Sequence, residues 1–353
     1  MNLTRLAKLE LYYNSIGRKL LDDIGKLSQL EHLLLHENSF IGALSIALMN
    51  STNLIELKLA FNSFDREISK LNFSKLHKLR KIDLLTNDFT GNLPASLYSC
   101  KFLKSNPTWS DSKLTNITKA IKILMHCKAL KVLFLTRNFL QEAMPTEDSI
   151  VGSSGFANLR LLSLLDCQLT GQFPFWLSKL KNLEVMFLQA NRITGSIPSW
   201  LLTLPWLFIL SLDDNLLSGE FPKELCALPT LVSPQPLDNA SLDLPIFYKT
   251  TESLQFNSLF NLPKGIYVKN NNLSGSIPIK IGHLTHLQVL DLSCNNLSGT
   301  LPDQISDLTN IEILNLFANW LTGVIPTSLA NLHFLRSFSI ASNKLHRPIP
   351  SGT

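Results

Sequence analysis

Residues 183–206 read LEVMFLQANRITGSIPSWLLTLPW, and the same frame opens again at Leu207. The pattern LxxLxLxxNxLxGxIPxxLxxL recurs with further clean copies at Leu287, Ile311 and Leu335. Self-similarity at a fixed period of 24 residues marks a repeat architecture before any single element is assigned. Asparagines carry the register: Asn14, Asn38, Asn62, Asn87, Asn138, Asn191, Asn215, Asn271, Asn295, Asn319 and Asn343. Cys167 holds the Asn place in one repeat and Ser112 in a degraded one, which gives about thirteen repeats.

Each part of the motif has a physical role. In the copy that begins at Leu183, Met186 and Leu188 fill the two LxL places and point inward. Val185, Phe187 and Gln189 alternate with them and point outward, the period-two pattern of a strand buried on one face. The Asn turns the chain inward, where its amide satisfies backbone groups of neighbouring coils. Gly195 and Pro198 in the GxIP segment shape the next turn. No coil can enclose its own leucines, so the core comes from stacking. The fold class is therefore an α/β-type repeat solenoid. It is expected to be a right-handed superhelix of about 13 leucine-rich repeats with a parallel β-sheet on the concave face.

Two places break the pattern. Lys101 to Lys113 holds Asn106-Pro107 and Trp109 but no clear LxL. From Asn215 to Asn271 the count is 56 residues, 32 more than one period. The excess lies between Pro229 and Pro263, with prolines also at 234, 236 and 245, and one strand is expected at Leu244 to Lys249. The organisation read from this is repeats over 1–228, an insertion over 229–263 and repeats over 264–353. Long insertions in repeat arrays usually emerge on one face, often the binding face.

The function classes that composition excludes are broad. Among 353 residues, 45% are hydrophobic, yet no apolar run reaches the roughly 18–20 residues that span a membrane. A net charge of +5 without a basic run argues against nucleic acid as a partner and is compatible with an acidic ligand. The five cysteines (Cys100, Cys127, Cys167, Cys226, Cys294) contain no CxxC pair, so neither a dense disulfide framework nor a zinc site is indicated, and one bridge is left open. Met1 to Gly17 already reads as a repeat and shows no signal peptide, so the chain reads as an interior excerpt.

No phosphate-cradling loop, zinc-protease helix or nucleophile elbow occurs, and neither a metal nor a cofactor is expected. His283 and His286 sit in a variable link, and Asp213-Asp214 at a strand edge lacks a partner for acid–base work, so a catalytic role is not assigned. Asn2, Asn50, Asn72, Asn116, Asn239, Asn272 and Asn296 head Asn-x-Ser/Thr triplets. Asn272 and Asn296 fall in the recurring NNLSG frame; the other five lie outside it and favour a secretory route.

The GxIP form of the repeat resembles that of plant extracellular receptors. The insertion is more specific: Ser241-Leu-Asp-Leu-Pro-Ile-Phe-Tyr-Lys249, Leu254-Gln-Phe-Asn257, Leu262-Pro263 and Ile266-Tyr267 are similar to the island of the phytosulfokine receptors and the tyrosine-sulfated glycopeptide receptors. Leu114-Thr-Asn-Ile-Thr118, Cys167-Gln-Leu-Thr-Gly171, Phe221-Pro-Lys-Glu-Leu225 and Leu332-His-Phe-Leu335 match as well. The resemblance implies the ligand-binding portion of a plasma-membrane receptor, facing the extracellular side. Its ligand would be a small secreted peptide bearing sulfotyrosine, added as a strand beside the island. A leucine-rich-repeat co-receptor kinase would dock nearby. Carried over by position, Phe247 packs on the peptide, Lys249 meets a sulfate and Tyr248 lies between them, with Phe187, Gln189, Ser211 and Asp213 facing from the strands. Ser211 stands where the family's strand commonly reads Asp, and Lys249 matches the phytosulfokine branch better. Two other readings are an interaction module, such as a defence-type inhibitor, and a truncated product without ligand.

Overall fold

The computed structural model describes residues 3–108, 110–146, 150, 155–233, 246–249, 253–256 and 259–346. These residues form two compact units, Met1–Leu169 and Thr170–Thr353.

In the first unit, seven short strands stack in chain order as a parallel sheet: Lys8–Glu10, His32–Leu34, Glu56–Lys58, Lys81–Asp83, Ser105–Thr108, Val132–Phe134 and Leu161–Ser163. Leu9, Leu33, Leu57 and Ile82 hold one register across four of them. Ser105–Thr108 lies in the stretch without an LxL signal, and it joins the sheet all the same. Ser105 pairs with Lys81 and Thr108 with Asp83, so one extra residue is accommodated there. Pro107 has no N–H to give to the ladder, which accounts for the local slip.

In three of the coils the strand is followed by the Asn turn and a second short strand, Ile41–Gly42, Ser63–Glu67 or Asp88–Gly91, and the chain then returns through 3₁₀ turns such as Ile46–Asn50 or Ala95–Ser99. One coil replaces that turn by an α-helix, Ile117–Leu124, which buries Ile117, Ala120, Ile121, Ile123 and Leu124. The Asn116 side chain caps it by accepting from the Lys119 amide at 3.0 Å. Glu142 adds a second cap, accepting from the amides of Asn116 and Ile117 at 2.6 and 2.7 Å. Inward residues such as Leu33, Leu57, Leu59 and Ile82 are fully buried. Beside them Phe40, Phe64 and Phe89 form a stack with ring centroids 5.8 and 6.2 Å apart.

The second unit stacks six strands: Val185–Phe187, Ile209–Ser211, Gly265–Tyr267, Val289–Asp291, Ile313–Asn315 and Ser337–Ser339. Ile209 pairs directly with Gly265, so the coil that starts at Ile209 and the coil that starts at Gly265 are neighbours although far more than one repeat of chain lies between them. That interval contains an antiparallel hairpin, Ile246–Lys249 with Ser253–Phe256, which among the described residues pairs with no strand of the array. Leu244 and Pro245, at the start of the expected strand, lie outside the described residues. Both flanks of the insertion pack into the coils. Pro229–Val232 is a short helix whose Leu231 is buried and accepts from the His286 amide at 2.9 Å. On the other side Leu259 and Leu262 are buried.

The asparagine ladder is present in both units. In the first, Asn62 Nδ2 donates to Leu59 O of its own coil and to Leu35 O of the preceding one, both at 3.0 Å, while its Oδ1 accepts from the Phe40 amide at 2.9 Å. Asn215, Asn271, Asn295 and Asn319 repeat this arrangement in the second. Cys167, in the Asn place, offers one thiol donor, 3.3 Å from Leu135 O. The residue before each ladder position is left-handed, with φ between 51° and 57° at Tyr13, Glu37, Phe61, Thr86, Asp111, Arg137 and Asp166. In the second unit the same conformation holds at Ala190, Asp214, Asn270, Cys294, Ala318 and Ser342. These positions mark thirteen coils and place Ser112 and Cys167 in the ladder, as the spacing implied. The glycine of the GxIP segment is also left-handed, with φ +80° at Gly195. All five cysteines are free thiols. Burial pushes Cys100, Cys127, Cys167 and Cys226 up to about 12, so they stay protonated and inert.

Candidate ligand-binding face

Parallel pairing without slippage turns equivalent positions of successive strands into columns. In the second unit one column runs Phe187, Ser211, Tyr267, Asp291, Asn315 and Ser339. Two residues further along each strand lie Gln189, Asp213, Lys269, Ser293 and Phe317, on the same outward face.

Exposure along these columns is uneven. Val185, Phe187, Ile209 and Ser211 occupy outward positions yet are no more than 4% exposed, whereas Ile313 in the same column as Ile209 is 39% exposed. Alternation fixes which way a side chain points, and here it does not fix what solvent reaches. Of the seven residues expected to contact ligand, Phe187 and Ser211 are thus buried, and Gln189 and Asp213 are half-buried. Phe247, Tyr248 and Lys249 lie together on the first strand of the hairpin, and their side chains are outside the described residues.

The polar groups of the face are tied together across coils. Asp213 Oδ1 accepts from the Lys269 amide at 2.7 Å, and Asn270 Nδ2 donates to Asp214 Oδ1 at 2.8 Å. Burial pushes the Asp213 carboxyl up to about 7; Asp291 and Asp214 add to the rise, and the Lys269 amide and ammonium oppose it. One strand on, Asp291 Oδ1 accepts from Ser293 Oγ at 2.6 Å and Oδ2 accepts from Asn315 Nδ2 at 3.1 Å. Gln189 Oε1 is buried without a hydrogen-bond partner among the described residues. The face therefore presents carboxylate and amide oxygens in a row, and next to them the aromatic ring of Tyr267. That ring lies over Gly265: a β-carbon there would sit 2.7 Å from Tyr267 Cζ and 2.8 Å from Oη. Glycine at this strand position makes room for the ring against the sheet.

The sequence reading missed Asp291, Ser293 and Asn315. The signal was available, because each stands 24 residues, or a multiple, from a position already chosen once the inserted segment is removed. Among the sequon residues, Asn50, Asn72, Asn116, Asn272 and Asn296 are all exposed. Asn2 and Asn239 lie outside the described residues. No helix among the described residues is long and apolar enough to cross a membrane.

Family models for leucine-rich repeats match residues 182–204, 264–321 and 285–345. These stretches are leucine-rich repeats. The repeats are 42% identical over 255 residues to Receptor-like protein 3 of Arabidopsis thaliana, covering 64% of this chain and 34% of that protein. They are 51% identical over 187 residues to Phytosulfokine receptor 1 of the same plant, covering 52% of this chain and 18% of that one. The chain thus spans about a third or less of the length of these curated relatives. Among solved structures, the plant peptide hormone receptor RGFR1 in complex with RGF2 superposes with a TM-score of 0.73 at 26% identity. That match covers 97% of this chain and 52% of the receptor.

Proposed function

We propose that the chain is the ligand-binding portion of a plant cell-surface receptor for a small tyrosine-sulfated peptide. The observation that carries this reading is the hairpin that interrupts the stack between Ile209–Ser211 and Gly265–Tyr267. Each of its two strands has one edge unpaired among the described residues, and an extended peptide can add to such an edge through main-chain hydrogen bonds. Side-chain choice then falls to Phe247, Tyr248 and Lys249 on the hairpin, with Lys249 meeting a sulfate. On the array, Gln189 and Asp213 offer acceptors, and Phe187 and Ser211 form the floor beneath. The likeness to phytosulfokine receptors supports the sulfated ligand, and that to receptor-like proteins supports the cell-surface location.

Under this proposal residues 229–263 act as the ligand-reading insertion, and a leucine-rich-repeat co-receptor kinase docks on the complex outside the plasma membrane. The exposed sequon residues would carry glycan on that secreted face. The chain itself does no chemistry. An uninterrupted interaction module, such as a defence-type inhibitor, is the weaker reading because it has no use for the hairpin.

The test is calorimetry with short synthetic peptides carrying either sulfotyrosine or tyrosine, on the wild-type chain and on Lys249→Ala. Sulfated peptide should bind the wild type more tightly, and the advantage should shrink in the variant. Equal affinity in all four combinations would end the proposal.

A further inference from the structure

The net charge of the protein is concentrated in one stretch. Between Lys75 and Lys131 stand eleven Lys or Arg against three Asp, an excess of eight positive charges. The remainder of the chain holds 21 Lys or Arg against 24 Asp or Glu, an excess of three negative charges, for the overall +5. This stretch lies wholly in the first unit, and the fold orders part of it into a ladder.

Arg80, Lys104 and Lys131 each precede the first strand residue of successive coils. The Lys104 amide donates to Arg80 O at 3.0 Å, and the Lys131 amide donates to Lys104 O at 3.0 Å. Parallel coils set their α-carbons about 4.8 Å apart. All three side chains are exposed, and no acidic group pairs with any of them among the described residues. Lys101 and Lys128, also exposed, stand three residues before Lys104 and Lys131 and widen the ladder into a strip. Between them the Phe102 ring is 56% exposed. The row ends where Arg160, the next rung, is buried. Like charges held a few ångströms apart repel, so an arrangement repeated over three coils lowers stability unless an anion neutralises it.

We propose that this strip binds a linear acidic polysaccharide, one uronate per sugar. An extended chain carrying a carboxylate on every sugar can run along the row and meet several of its cations at once, and Phe102 is exposed beside them to take the apolar side of a sugar. A compact anion cannot reach from Arg80 to Lys131 across two rung spacings. Single-stranded nucleic acid is held by a series of stacking aromatic side chains; among the described residues of the strip Phe102 is exposed, while the neighbouring Tyr98 ring packs against His126. The proposal concerns the first unit and does not depend on the peptide reading of the second.

The experiment uses the whole chain and a ten-residue oligogalacturonate in calcium-free, low-salt buffer. Arg80→Gln/Lys104→Gln/Lys131→Gln should weaken binding by about tenfold or more, consistent with the loss of three screened ionic contacts. The charge-matched Lys179→Gln/Lys223→Gln/Lys280→Gln should change it less than about twofold, and Lys249→Ala should leave it unaltered. Free galacturonate at the same uronate concentration should not compete. Thermal melts of both triple variants check that they remain folded. Unchanged binding by the ladder variant, equal losses in both triples, or tighter binding of a single-stranded oligonucleotide of equal length would overturn the proposal.

Discussion

Asp213 and Lys269 stand 56 residues apart in the chain, yet the Asp213 carboxylate accepts the Lys269 amide at 2.7 Å. The bond joins the coil before the inserted hairpin to the coil after it. It exists only because Ile209–Ser211 and Gly265–Tyr267 are direct neighbours in the sheet.

The Asp213 carboxyl should make stability depend on pH. Its folded-state value is raised to about 7, above the ordinary range near 3.9 for an unfolded aspartate. Between these values the folded state holds a proton that the unfolded state does not, so stability falls as pH rises from about 4 to 7 and then levels off. Asp213→Asn keeps the shape and removes the titration. The melting temperature of this variant relative to wild type should climb across that window; a difference that does not vary with pH would contradict the assignment.

The ladder asparagines should outweigh their exposed neighbours in stability. Asn271 Nδ2 donates to Leu212 O at 3.0 Å and to Val268 O at 3.1 Å, and Oδ1 accepts from the Leu217 amide at 3.0 Å. Asn271→Ala strands these buried groups and should cost about 3 kcal/mol in urea unfolding. Asn272→Ala, at an exposed position, should stay within about 0.5 kcal/mol. Similar losses at both sites would refute the ladder as a source of stability.

Arg66 occupies the place of the GxIP glycine with φ 80°. Its guanidinium lies 3.3 Å from Asp65 Oδ1, a buried oxygen on a half-buried residue, and the loss of that contact offsets part of the gain on removing it. Relief of the left-handed strain should let Arg66→Gly gain about 1 kcal/mol. A lower unfolding midpoint for the variant would show that the strain is not there.

Gly265→Ala should separate folding from recognition. The added carbon meets the Tyr267 ring, which can swing away, so the stability loss should remain near about 1 kcal/mol. The near-ultraviolet dichroism of the ring should change, and sulfated-peptide affinity should fall. Unaltered affinity together with an altered ring signal would remove Tyr267 from the ligand face.

Much of this molecule was legible from local chemistry. The Asn places, including Cys167 and Ser112, set the coil count, because each coil closes its own turn with residues near in sequence. The GxIP glycine has the conformation its type suggested. The strand Ser105–Thr108 was not legible. Its side chains carry no pattern, and its extended form comes from the strands on either side. The second strand of the hairpin, Ser253–Phe256, was not legible either, because its extended form comes from pairing with Ile246–Lys249.

Sequence by itself determined the period, the turns and the inward residues, since these follow from backbone conformation and from leucine spacing within one coil. Tertiary structure decided which coils adjoin, and with that every property shared between coils. It buried Phe187 while exposing Ile313, raised Asp213 toward neutrality beside Asp291, and lined up Arg80, Lys104 and Lys131. Burial and electrostatic coupling depend on neighbours in space, and in a stacked array those neighbours are set by where the chain loops out.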